Sequence, residues 1–144
     1  MKTTIITFFS AFLLFSTLFL SCKNNTDNIP TVFVDILIDL NDPQFSKLTI
    51  PGNYEYITGG VNGIIIYRKS FDEFTAFERT CPNDPSCGKV FVDKTGYTVV
   101  DSTCCQSEFS LMIDGAVTKG PSQFPLKIYT TQYNPNSLTL RITN

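Results

Sequence analysis

The 144-residue chain is 42% hydrophobic, carries 11 basic against 13 acidic residues for a formal charge of −2, and has five cysteines but no histidine. That length holds one domain with a sizeable core, and with no run of Lys or Arg the clustered cations needed for nucleic-acid affinity are lacking. Without histidine there is no Ser–His or Cys–His pair and no imidazole ligand, and the scattered carboxylates Asp72, Glu73, Glu78, Asp84, Asp93, Asp101, Glu108 and Asp114 show no paired acid–base spacing and are expected on a solvated face.

Residues 1–21, MKTTIITFFSAFLLFSTLFLS, carry one cation, Lys2, and then a nearly unbroken apolar run from Ile5 to Leu20, the pattern of a secretion signal. The run is short for a bilayer span and no basic cluster follows it, which disfavours a permanent transmembrane anchor. Its end, LFLSC, resembles the lipobox of bacterial lipoproteins, with Leu20 where that family prefers a small residue. The resemblance implies cleavage before Cys22 and its acylation, with residues 22–29 as a polar tether and 30–144 as the folded domain. Acyl chains contribute about 0.8 kcal/mol per buried CH₂ and would hold the protein firmly on a membrane, and the resemblance implies the cell envelope, in the outer membrane of a Gram-negative bacterium. With Cys22 used in this way, Cys81, Cys87, Cys104 and Cys105 remain, an even number in an exported, oxidising setting.

The domain reads as a string of short strands. TVFVDILIDL puts Val32, Val34, Ile36, Ile38 and Leu40 on one face and Asp35 and Asp39 on the other, a half-buried strand. DPQFSKLTI offers one short helical turn. YEYIT, GIIIYR, EFTAFER, KVFVD, YTVVD, FSLMI, AVTK, LKIYTTQY and SLTLRI follow, separated by turn residues such as Gly59-Gly60, Asn62-Gly63, Asp114-Gly115 and Asn134-Pro135-Asn136, an all-β pattern suited to a small antiparallel barrel or sandwich. The Gly59–Gly63 cluster lacks the Lys and following helix of a phosphate loop and reads as a hairpin connection.

The cysteines fall in two clusters, RTCPNDPSCGKV and STCCQSEFSLMIDGAVTKGPSQFPLKIY. Two cysteine-bearing loops that end strands, followed by an Asp-Gly turn and a Gly-Pro loop, resemble the iron–sulfur subdomain of Rieske proteins from about Gly59 to Asn144. The lead-in NDP…F…L…PG and the adjacent cysteine pair also resemble a group of Rieske-like lipoproteins of the Bacteroidetes. The resemblance implies an all-β Rieske-like fold with a cluster-binding-like subdomain, in which Cys81, Asn83, Ser102 and Cys105 stand at the four ligand positions. A Rieske centre needs two imidazoles on one iron and two thiolates on the other, so these positions are degenerate and no cofactor is expected. A loop-to-loop disulfide found in one branch of the family matches Cys87 and Cys104, and the frame then sets Cys81 and Cys105 close to disulfide range.

Three functions are open at this point. One is a non-enzymatic, lipid-anchored binding or structural module, with Pro82, Asn83, Asp84, Gln106 and Pro121 as candidate contacts on the tip loops and no protein partner named by the sequence. The alternative is electron transfer through an iron–sulfur or other metal centre held by Cys81, Cys87, Cys104 and Cys105, although Cys-x₅-Cys-x₁₆-Cys-Cys fits neither plant-type iron–sulfur nor zinc-knuckle spacing. The third is thiol–disulfide exchange at Cys104-Cys105, where only Lys89 and Lys119 could lower a thiol pKa.

Overall fold

The structure, a computed structural model, describes residues 29–144, so the secretion signal, Cys22 and the tether up to Asn28 lie outside the described residues. Ten strands form there: β1 (Asp35–Asp39), β2 (Tyr54–Ile57), β3 (Ile64–Arg68), β4 (Phe74–Glu78), β5 (Phe91–Val92), β6 (Thr98–Val100), β7 (Glu108–Ser110), β8 (Ala116–Lys119), β9 (Ile128–Asn134) and β10 (Thr139–Thr143). They build a six-stranded antiparallel sheet in the order β1-β10-β9-β4-β3-β2 and a four-stranded meander β5-β6-β7-β8. The fold is all-β, as expected. The meander is an insertion between β4 and β9 and carries both cysteine loops.

Side chains alternate across a strand, and in β3 both faces are covered. Ile64 and Ile66 enter one core with Ile38, Leu48, Phe74, Ala76, Leu140 and Ile142. Ile65 and Tyr67 enter a second core with Phe77, Val90, Val99, Phe109, Leu111 and Leu126, between the large sheet and the meander. Every residue of β3 and β4 is buried, which is why GIIIYR is a continuous apolar run where β1 alternates. In β1 Ile38 is buried while Asp35, Leu37 and Asp39 are exposed, and Val34 and Leu40 extend the same inward face.

Local differences from the expected elements have local causes. The DPQFSKLTI turn is a 3-10 helix over Pro43–Thr49, capped by the Asp42 carboxylate, which accepts from Gln44 N–H at 3.0 Å, and it sends Phe45 and Leu48 into the first core. FSLMI is not a continuous strand: β7 ends at Ser110, and Leu111–Ile113 coil into a 3-10 turn closed by Asp114 at φ +50°. KVFVD shrinks to the two residues of β5. Ile29, assigned to the tether, is buried at 4% exposure.

Glu78, expected on the surface, is fully buried. Its Oε2 accepts from Val61 N–H and Tyr129 O–H, both at 2.7 Å, and its Oε1 from Asn62 N–H, Thr80 N–H and the Thr80 hydroxyl at 3.0, 2.9 and 2.8 Å. The Gly59–Gly63 loop is thus the β2–β3 connection, and its amides close on a carboxylate of its own chain. Gly60 sits at φ +62°, where a Cβ would overlap Glu78 Oε2. Burial alone would raise the Glu78 carboxyl, but the donors, led by Tyr129, outweigh it and hold it below its ordinary value.

Glu78→Gln is expected to cost about 2–3 kcal/mol at neutral pH, since an amide NH₂ would face the same donors. Because the folded-state carboxyl is lowered, its contribution is present above the ordinary carboxyl pKa and fades as pH falls through the folded value. Urea unfolding of parent and variant from pH 7 to pH 3 reads both effects; curves that stay parallel would refute the linkage.

Candidate functional site

The tip of the meander is built from the loop after β4 and the loop between β6 and β7. In the first, the Asp84 carboxylate accepts from Ser86 N–H at 2.9 Å and from the Ser86 hydroxyl at 2.6 Å. These bonds nucleate the 3-10 turn Pro85–Cys87, a side-chain-to-backbone cap that asparagine and aspartate favour. This turn presents Cys87 to the second loop, where it is disulfide-bonded to Cys104 with Cα atoms 5.8 Å apart.

The second loop is organised by Asp101, also expected on the surface but only 1% exposed. Its Oδ1 accepts from the Thr103 N–H and hydroxyl, both at 3.2 Å, and from Cys104 N–H at 3.1 Å. Its Oδ2 accepts from Cys105 N–H at 3.4 Å and from the Cys105 thiol at 3.0 Å. Burial works against the ionised form, but hydrogen bonds from the Cys81 and Cys105 thiols and from the loop amides prevail and hold the Asp101 carboxyl at about 2.

In place of the second expected disulfide stand two thiols: Cys81, buried, and Cys105, half-buried, with Sγ atoms 3.4 Å apart. A disulfide requires about 2.05 Å. The Cys105 sulfur also lies 3.1 Å from the Ser107 hydroxyl, which in turn accepts from Ser122 N–H at 2.9 Å and so ties in the Gly120-Pro121 loop. Burial, reinforced by the Asp101 carboxylate, pushes the Cys81 thiol up to about 12, while the Asp84 and Asn83 N–H groups pull it the other way.

Of the four positions the Rieske frame assigns to ligands, Cys81 and Cys105 are brought together, whereas Asn83 and Ser102 are exposed. Of the candidate contact residues, Asn83, Gln106 and Pro121 are exposed, Asp84 is half-buried and Pro82 is buried, which removes Pro82 from any contact surface. Asp101 and Ser107 were missed as site residues; the signal for Asp101 was its place at the end of a strand, before Ser-Thr, where an Asx turn begins.

No family model matches the chain, and no curated protein matches it. Among solved structures it is similar to the plasma membrane Rieske protein PetC3 of the cyanobacterium Synechocystis PCC 6803, with 22% identity and a TM-score of 0.49, covering 79% of this chain and 99% of that one. It is also similar to a candidate NADH-dependent nitrite reductase small subunit from Mycobacterium tuberculosis, with 18% identity and a TM-score of 0.47, covering 79% of this chain and 97% of that one.

Asp101→Asn is expected to cost about 2 kcal/mol at neutral pH, the equivalent of a carboxyl lowered from 3.8 to about 2. The folded-state value is lowered, so this contribution is whole above pH 3.8 and is lost as pH falls through 2. Thermal unfolding of parent and variant should therefore converge in acid, and a gap that persists at pH 2 would contradict the assignment.

Proposed function

We propose that the protein is a membrane-anchored lipoprotein of the cell envelope, held through acylated Cys22, whose Rieske-like domain holds no iron–sulfur cluster and acts as a non-enzymatic binding or structural module. The observation that carries this reading is the contact between the two sulfurs. The frame assigns Cys81 and Cys105 to different irons of a two-iron core, yet their Sγ atoms are 3.4 Å apart, too close to bracket one. The positions that would complete the donor set hold an exposed carboxamide, Asn83, and an exposed hydroxyl, Ser102, where a Rieske centre needs an imidazole and a thiolate. The residues do not fit the cluster.

The same chemistry supports a non-enzymatic role. A reactive cysteine needs a lowered pKa from a cation, a helix N-terminus or a metal, and Cys81 is pushed the other way by burial and a neighbouring carboxylate. Cys104 is consumed in the loop-to-loop bond. The exposed tip residues Asn83, Gln106 and Pro121 are left as surface for a partner, presented on a loop pair stapled by a disulfide. In the chain-entropy model a loop of about 18 residues makes that staple worth roughly 3 kcal/mol.

Two measurements test the two halves of the reading. Iron and acid-labile sulfide analysis with a visible absorbance scan, on protein purified without exposure to air, should give no iron–sulfur band; a band with about two irons per chain would make the protein an electron carrier. Growth with an alkyne fatty acid should label the parent, and Cys22→Ala should lose the label and leave the membrane fraction. Label retained by that variant would refute the anchor.

A further inference from the structure

We propose that Cys81, Cys105 and Asp101 form a binding site for a single divalent cation of the zinc class. The site goes beyond the reading above and stands apart from it, because it needs neither the lipid anchor nor an iron–sulfur cluster. Its basis is a juxtaposition of three donors from two loops: the two Sγ atoms and an Asp101 carboxylate oxygen all lie within 4.8 Å of one another. The neighbouring trio Asp84, Cys87 and Cys104 has a similar spread, but its sulfurs are tied in the disulfide and are not available as thiolates.

The donor set suits the ion. Thiolates favour soft or borderline cations, and two sulfurs with one carboxylate make a three-ligand zinc site with the fourth tetrahedral position open to water. Zinc–sulfur bonds of about 2.3 Å put neighbouring tetrahedral ligand atoms about 3.8 Å apart. The sulfurs stand at 3.4 Å and Cys105 Sγ to Asp101 Oδ2 at 3.0 Å, so these two edges need to open by less than about an ångström, and the third lies within 4.8 Å.

Support around the donors is in place. Three donors on Asp101 Oδ1 fix the carboxylate, and Oδ2, which also accepts a long 3.4 Å bond from Cys105 N–H, lies 3.0 Å from the Cys105 sulfur. Ser107 Oγ lies 3.1 Å from the Cys105 sulfur and accepts from Ser122 N–H, the kind of outer contact that orients ligands and tunes affinity. Binding is an acid–base exchange with no change of oxidation state. Both thiols give their protons to solvent, two metal–sulfur bonds and one metal–oxygen bond form, and the thiol-to-carboxylate hydrogen bonds are given up. Affinity therefore rises with pH.

Cobalt(II) serves as the probe, titrated into the full-length protein in detergent with the Cys81–Cys105 pair kept reduced. The expected result is saturation at one cobalt per chain with sulfur-to-cobalt charge-transfer absorbance, bleached by one equivalent of zinc. Cys105→Ser should weaken or abolish the charge transfer. Asp101→Asn should keep it while lowering affinity by at least about tenfold, the size of effect that even an outer-shell partner produces. A Cys87→Ser/Cys104→Ser double variant that still folds should retain the band, which separates this site from the disulfide. The proposal is overturned by the absence of charge transfer in parent protein with two titratable thiols, by a pair that stays bonded as a disulfide under reduction, or by affinity unchanged in Asp101→Asn.

Discussion

The domain depends on a pair of strands, β3 and β4, that are buried on both faces. One core lies on each side of this pair, and its Ile65, Tyr67 and Phe77, joined by Tyr54 and Tyr56 of β2, carry the contact between the large sheet and the cysteine-bearing meander. Its far end is fixed by successive residues, the first two through their side chains and the third through its backbone. Glu78 holds the β2–β3 loop. The Arg79 guanidinium carbon lies 4.1 Å from the centre of the Tyr56 ring and 4.9 Å from that of Phe91, with Nε donating to Val90 C=O at 3.2 Å. Thr80 bridges to Lys89. Cys81 follows directly, so its position at the tip is set by the core and not by the loop it begins.

From there the tip is assembled against the ordinary tendency of charge to stay in water. Burying a carboxylate is costly unless every lone pair is answered, and Asp101 is answered five times within four residues of chain. That local saturation gives a loop with little apolar content a single conformation. The Cys87–Cys104 bond then docks it to the first loop, and Ser107 docks it to the third through Ser122. Three loops distant in sequence are locked by one carboxylate, one disulfide and one hydroxyl.

Much of this was legible beforehand. Period-two alternation in TVFVDILIDL identifies both the strand and its buried face, and the turn residues punctuate all ten strands in order. The division into six and four strands was not legible, because it hinges on β9 returning to pair with β4 through Ala76–Tyr129 and Phe77–Ile128, a closure that no local pattern encodes. FSLMI misleads because β propensity continues past the residue where Asp114 turns the chain. Composition places both buried carboxylates on a solvated face, although strict alternation sets Glu78 on the face of Phe74 and Ala76 and so marks it as inward. Four cysteines allow three pairings; the family frame, not the spacing, singled out Cys87 with Cys104.

Glu78 and Asp101 are two versions of one device, a buried carboxylate wrapped by the amides of a neighbouring turn, the first at the end of β4 and the second just after β6. They differ in what else donates. Glu78 is closed by a phenol and a hydroxyl, donors that offer no metal-binding sulfur, so its role is structural. Asp101 is closed by thiols, whose protons can be exchanged for a metal ion or lost on oxidation. The same geometry that makes the first carboxylate inert therefore leaves the second convertible, and the chemistry available to the domain lies where sulfur replaces oxygen as the donor.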